Sequence, residues 1–432
     1  MSAVLRIPFG CLFALALTAP LQAKPLISNS EDTAAALCRA VDPNPERQIA
    51  LCEAALQEQL TPAERSVMLN GLGDAYYELD RYDEAEAQYR LSSAADPQNI
   101  DPMNGLGWVY WIQDREAEAA AHFQASVDWR PSAQGLAGLG SSLFRSGAAD
   151  MDAAMEYLDA ALAIDPDYLW ALREKGWVAL NSGAPDPAVA AFEAAVERDS
   201  EDWNAHYGLS RALGDLGAFE RALTAINVAV VLDPTAGWGY AQRAYILRRL
   251  DRNAQAVTEA DRVIEILPQD SEGYTQRALA LQSLGRRAEA LATFEAALAA
   301  GAEDGFLLYW YADVLSNDGR MEDAMGVIDR AIALQGDDPA DHALRAYIAM
   351  EMRAFEKSLA SAERALELNP AHAYAHYYAA VALAHAGAVE DAMDRFKKAI
   401  DLGLNRDMVS VFAADLISAG RFRAALQLRK RY

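Results

Sequence analysis

The sequence predicts an all-α chain built as a stack of repeated helix pairs, and three observations carry that prediction. An alanine returns every 34 residues: Ala85, Ala119, Ala154, Ala188, Ala222, Ala256, Ala290 and Ala324, then Ser358 as a small stand-in and Ala392, with a single step of 35 between Ala119 and Ala154. Prolines keep the same period at Pro97, Pro131, Pro166, Pro234, Pro268 and Pro370. Within one period the apolar residues twice follow the i, i+3, i+4, i+7 spacing of a helical face. A fixed period of this length means stacked supersecondary units that bury their faces against neighbours.

Residues 66–99 show the unit. Leu69, Leu72, Gly73 and Tyr76 form one helical face; Asp80-Arg81 interrupts it; Tyr82, Ala85 and Tyr89 resume the spacing. Pro97 closes the unit, because proline cannot continue a helix. Each repeat therefore reads as two antiparallel helices, with Gly73 and Ala85 small where the helices approach. The pattern Gly73, Tyr76, Ala85, Tyr89, Pro97 and its return as Leu106-Gly107, Tyr110, Ala119, Phe123, Pro131 resembles the tetratricopeptide repeat. Further units carry Gly176, Gly183, Ala188 and Phe192; Gly217, Ala222 and Pro234; Gly285, Ala290 and Phe294; and Gly387, Ala392 and Phe396. The resemblance implies a right-handed α-solenoid with the first helix of each unit on the concave side. Ten units span 66–406, and 407–432 reads as an incomplete capping repeat. Lys175, Arg243, Arg277 and Arg345 depart from the family pattern at apolar positions, where they are expected to bury their stems and wet their heads.

Residues 1–23 have the form of a secretory signal: Arg6, an apolar stretch from Ile7 to Ala19, and Leu21-Gln22-Ala23 as a cleavage pattern. That stretch is too short to span a bilayer, so direct membrane insertion is not expected once the signal is removed. The expected location is the bacterial periplasm. Residues 24–65 read as a linker and a capping helical hairpin. Cys38 and Cys52 flank the breaker Asp42-Pro43-Asn44-Pro45, seven residues from Pro45 on either side, and in an oxidising compartment are expected to form a disulfide. With 38 Lys+Arg against 63 Asp+Glu, the net charge of −25 repels nucleic acid.

Catalytic signatures are missing. Gly71/Gly73, Gly105/Gly107 and Gly135/Gly138/Gly140 fall inside helices with no GxxxxGK, so they are packing glycines rather than phosphate loops. His372 and His376 have metal-ligand spacing, but Ala-Tyr-Ala between them lacks the zinc-protease glutamate. No metal, cofactor or catalytic residue is expected.

The first helices carry an unusual face. Trp108 and Trp111; Trp170, Arg173 and Trp177; Asn204, Tyr207 and Arg211; and Trp238, Ala241, Tyr245 and Arg248 lie outside the packing positions. The last three sets follow i, i+3, i+7 and so form stripes. Five of the eight tryptophans are here. Aromatics with arginine have the composition of a binding hot spot; alternatively they fill the inside of a tight superhelix. The stripe weakens to Glu272, Thr275 and Leu279, then Phe306, Tyr309 and Asp313. The expected function is a non-catalytic scaffold that holds an extended protein or peptide segment with acidic and apolar groups in its groove. A structural adaptor in envelope assembly and a glycan-binding solenoid are the alternatives.

Overall fold

The structure, a computed structural model, describes residues 33–431, with side chains through Leu428; the signal-like segment lies outside the described residues. Among the described residues there are 24 α-helices and no strand. The chain divides into two compact units, one ending at Ala225 and one starting at Ile226.

The first unit opens with a hairpin of α1 (Ala34–Arg39) and α2 (Pro45–Ala55). Pairs follow: α3 (Pro62–Glu78) with α4 (Tyr82–Ala95), α5 (Asp101–Ile112) with α6 (Glu116–Trp129), α7 (Ala133–Arg145) with α8 (Met151–Ile164), and α9 (Leu169–Asn181) with α10 (Pro185–Arg198). After α11 (Trp203–Asp215), the boundary falls inside α12 (Phe219–Leu232). The second unit continues with α13 (Gly237–Arg249) and α14 (Asn253–Ile266), α15 (Ser271–Ser283) and α16 (Arg287–Ala300), and α17 (Gly305–Asn317) and α18 (Met321–Gln335). Then come α19 (Pro339–Glu351) and α20 (Phe355–Leu368), α21 (Ala373–Ala386) and α22 (Val389–Asp401), and α23 (Met408–Ser418) and α24 (Phe422–Arg431). The segment expected to be an incomplete repeat is thus a pair of short helices of 11 and 10 residues.

Helix starts are written locally. Asp150, Asp202, Asp270, Asp304 and Asp338 each accept a backbone N–H at the start of α8, α11, α15, α17 and α19, as N-cap aspartates do. The turn within a pair needs one left-handed residue. Glycine supplies it at Gly183, Gly217, Gly285, Gly319, Gly387 and Gly420, while Asp80, Asp114, Asp251 and Arg353 adopt φ of 56–59° at the equivalent place. A second recurring device ties the first helix of a pair to the loop before it. Tyr240 and Tyr274 donate their hydroxyls to the carbonyls of Pro234 and Pro268, and His206 and His376 bond the carbonyls of Ser200 and Pro370 through Nε2. His376 is therefore a loop tether. His372 caps α21 by accepting from the Ala375 N–H through Nδ1, so neither histidine is arranged as a metal ligand.

Each helix packs on its neighbour in sequence. Among the described residues, helices two apart also touch on the odd-numbered side, as α3 with α5, α7 with α9, α15 with α17 and α19 with α21. Within each unit the odd-numbered helices therefore form the tighter, inner row. The first unit closes this row with aromatic wedges. The ring of Tyr89 sits between Gly73 and Gly105, Phe123 between Gly107 and Gly138, and Phe192 between Gly176 and Gly208. A β-carbon at any of these glycines would lie 2.3–2.6 Å from the ring. In the second unit the core uses alanines instead, with Phe294 stacked on Tyr311 at 5.1 Å and Phe396 on Phe412 at 4.3 Å.

The four basic residues at apolar positions do more than reach solvent. Arg243 pairs with Glu259 at 2.6 Å, Arg277 with Asp261 at 2.7 Å, Arg345 with Asp329 at 2.6 Å, and Lys175 with Asp159. Each partner lies 16 residues away on a neighbouring even-numbered helix. Cys38 and Cys52 are joined by a disulfide that links α1 to α2. Both sulfurs lie against Gly71 of α3, where a β-carbon would meet them at 3.4 and 3.6 Å. Closing a loop of about 15 residues is worth on the order of 3 kcal/mol in the chain-entropy model.

Candidate partner-binding faces

In the first unit, α5 and α9 bring three of the predicted tryptophans into one cluster. Trp108 and Trp170 meet edge-on at 4.6 Å, Trp111 and Trp170 at 5.8 Å, and Trp108 and Trp111 at 6.0 Å. Trp108 also leans on Phe123 at 4.9 Å, so the cluster grows out of the wedge packing beneath it. The indole N–H of Trp111 donates to Ser141 Oγ at 3.2 Å, and Ser141 donates to Glu174 at 2.7 Å. The protein packed around Glu174 pushes its carboxyl up from the usual range. The Arg145 guanidinium lies 4.3 Å from the Trp111 ring and pairs with Asp114 and Glu116.

A second cluster joins α9 to α11. Trp177 donates its N–H to Asn204 Oδ1 at 2.9 Å, contacts Phe192 at 5.1 Å and Tyr207 at 6.0 Å, and carries Arg211 at 5.7 Å from its ring. Arg173 pairs with Asp202 at 3.0 Å, the same aspartate that caps α11. The predicted residues are therefore not equivalent. Trp111 and Tyr207 are 8% and 4% exposed and serve the packing between inner helices. Trp108, Trp170 and Trp177 are half-buried and keep surface on the odd-numbered row. Arg173 is engaged within the protein, so the inner arginines do not stand as a row of unpaired cations.

Trp238, Tyr245 and Arg248 lie on α13, in the second unit. Arg248 and Arg249 flank the Tyr245 ring at 5.9 and 5.8 Å, and Arg248 donates to Gln276 at 3.2 Å. Burial lowers the Arg248 pKa from its ordinary value.

Farther along the second unit the inner row changes character, and most of this the sequence reading passed over. Tyr309, Trp310 and Phe306 of α17 adjoin one another, with ring centroids at 5.2 and 6.2 Å. Tyr347 of α19 meets Tyr378 of α21 at 5.9 Å, and Tyr378 meets Tyr374 at 6.3 Å. Asp313 follows Tyr309 by one turn and Glu351 follows Tyr347 by one turn. Burial pushes the Asp313 carboxyl up and raises the Tyr309 hydroxyl to about 12. In the first turn of α19, Asp341 is 1% exposed, accepts from Gln335 at 2.7 Å, and is pushed by burial up to about 6. The i, i+4 pairing of tyrosine with carboxylate on consecutive inner helices was the available signal.

No group of three or more His, Cys, Asp or Glu is placed to hold a metal ion, and no helix is long and apolar enough to cross a membrane, among the described residues. The family model of the tetratricopeptide repeat matches residues 70–135, 173–237, 275–339 and 344–403. The chain belongs to the tetratricopeptide repeat family. Repeats of this family generally mediate protein–protein interaction, and the family's scaffolds are generally non-catalytic. Among solved structures, a tetratricopeptide repeat protein from Parabacteroides merdae is 17% identical, covering 62% of this chain and 98% of that one, with a TM-score of 0.49. The Cut9–Hcn1 hetero-tetramer of the APC/C is similar at 15% identity over 89% of this chain and 83% of that one, with a TM-score of 0.49. MamA is similar at 23% identity over 37% of this chain and 93% of that one, with a TM-score of 0.35. No curated protein matches the chain's sequence.

Proposed function

We propose that the chain is a non-catalytic scaffold of the bacterial periplasm that holds an extended segment of a partner protein along its odd-numbered helices. The observation that carries this reading is the pair Trp170 and Trp177. They lie two turns apart on α9 and remain half-buried on the inner row, Trp177 over the Phe192 wedge and Trp170 against Trp108, which itself covers the Phe123 wedge. Large aromatic surface held rigidly at a row of helices offers contact area at low entropic cost. Arg211 beside Trp177 favours a partner segment with an acidic group next to apolar ones. The signal-like residues 1–23 and the Cys38–Cys52 disulfide support an oxidising extracytoplasmic compartment.

The test is retention of partner from periplasmic extract on the immobilised parent chain and on the Trp170→Ala/Trp177→Ala variant, with a thermal melt of each. Loss of a hot-spot pair costs about 2 kcal/mol or more, so the folded variant is expected to retain at least tenfold less of the same partner. A variant that melts earlier yet binds fully per folded molecule assigns both tryptophans to the core and removes the reading. Competition by oligosaccharide, and not by partner-derived peptide, would make the face a glycan site instead.

A further inference from the structure

The inner row of the second unit has its own chemistry. On α17, α19 and α21 it gathers Phe306, Tyr309, Trp310, Tyr347, Tyr374 and Tyr378 with the carboxylates of Asp313 and Glu351. Phe306 and Tyr374 are 46% and 50% exposed. The hydroxyls of Tyr309, Tyr347, Tyr374 and Tyr378 make no hydrogen bond among the described residues, and the Trp310 indole N–H, shielded from solvent, has no partner either. Packing alone does not account for the Trp310 N–H, since buried polar atoms in a core are ordinarily satisfied, and the tyrosine hydroxyls keep access to the surface.

The face also lacks cations. On α15, α17, α19 and α21 the lysines and arginines number two, Arg277 and Arg345, and both turn to even-numbered helices to pair with Asp261 and Asp329. The histidines nearby are occupied: His342 bonds Asp337, His376 bonds the Pro370 carbonyl, and His385 stacks on Phe355 at 3.8 Å. Tyrosine rings present negative faces that attract ammonium and guanidinium groups, and a carboxylate beside them pairs with the same groups through charge-assisted hydrogen bonds.

We propose that this face seats a cationic peptide segment, its arginine or lysine side chains lying over Tyr347, Tyr374 and Tyr378 and pairing with Asp313 and Glu351. The inference rests on the groove-binding reading above and adds the partner's chemistry. Packed helices sit about 10 Å apart, and a peptide in polyproline II form advances about 3.1 Å per residue with three residues per turn, so a cation at every third residue stays on one face and meets successive helices of the row.

The probe is a fluorescein-labelled peptide of about twelve residues, proline-rich to favour the polyproline II form, with arginine at every third position, followed by anisotropy at about 0.15 M salt, where long-range attraction is screened. A matched peptide carries glutamate in place of arginine. Asp313→Asn/Glu351→Gln removes the two charges with little change of shape, and Tyr374→Ala removes an exposed ring. Glu363→Gln/Asp394→Asn makes the same charge change on exposed sites of α20 and α22. Thermal melts accompany each variant. The full chain is expected to bind the arginine peptide at least tenfold better than the glutamate peptide. The inner amide pair is expected to weaken that binding about tenfold, Tyr374→Ala about threefold, and the outer pair less than twofold. Equal weakening by the two amide pairs, equal binding of the glutamate peptide, or no binding of the arginine peptide overturns the proposal. If the arginine peptide fails while the Trp170→Ala/Trp177→Ala variant still loses its partner, the groove reading stands and this inference falls; if the parent chain retains neither, both fall.

Discussion

The two units use one repeat frame and fill it in different ways. In the first, aromatic rings from even-numbered helices are wedged between glycines of adjacent odd-numbered helices, and the inner row carries tryptophan clusters. In the second, alanines and the stacked pairs Phe294–Tyr311 and Phe396–Phe412 build the core, and the inner row carries tyrosines and carboxylates. The frame therefore does not dictate the inner face. What each unit presents to a partner depends on the inner residues, while the wedges decide which substitutions that unit tolerates.

The sharpest way to break the comparison is to make one substitution in both units. Gly208→Ala would put a β-carbon 2.3 Å from two atoms of the Phe192 ring. That ring is fully buried and its other side faces Gly176, where a β-carbon would also lie only 2.6 Å away, so it has little room to move. Overpacking of this kind costs about 3 kcal/mol at the upper end. Gly326, inside α18, has open space around the same position, so Gly326→Ala is expected to add about 1 kcal/mol from helix propensity alone. Urea melts with a probe in each unit check both signs. A stable Gly208→Ala chain would mean that the wedge is loose.

Asp341 gives a smaller effect that depends on pH. Its folded pKa of about 6 lies above the ordinary value of 3.8, so the folded state binds more protons than the unfolded one between those values. Its contribution favours the fold at low pH and becomes a cost as pH rises through about 6. Asp341→Asn keeps an acceptor for Gln335 and is expected to raise stability at pH 7 by about 2 kcal/mol. The gain should vanish near pH 4, as unfolding curves at the two pH values would show. An equal gain at both would assign the effect to something other than titration.

Much of this was legible in the sequence, for identifiable reasons. The alanine and proline periods mark positions where one helix touches the next, so a single chain of residues exposes the helix pairs. Gly138 and Gly140 were readable as packing glycines, and they lie against Phe123 and Tyr157. The ion pairs of Arg243, Arg277 and Arg345 were not readable, because each acid is on a separate helix whose register only packing sets. For Trp111 and Tyr207 the sequence left binding and packing inside the superhelix both open, since spacing alone does not tell how closely successive inner helices approach; their burial is that of packing residues. The tyrosine face was partly missed because Tyr378 lies off the i, i+3, i+7 stripe that singled out the tryptophans.

The central claim is that partners bind on the odd-numbered row. Oxidative footprinting of tryptophan in the full chain tests it most directly, with and without the partner retained by the parent protein. Trp170 and Trp177 lie on the inner row, and Trp129, 57% exposed at the end of α6, is an outer reference on an even-numbered helix. Bound partner is expected to suppress modification of Trp170 and Trp177 at least threefold, the order of a contact that excludes water, and to leave Trp129 unchanged. Suppression at Trp129 with Trp170 and Trp177 unaffected would contradict the account.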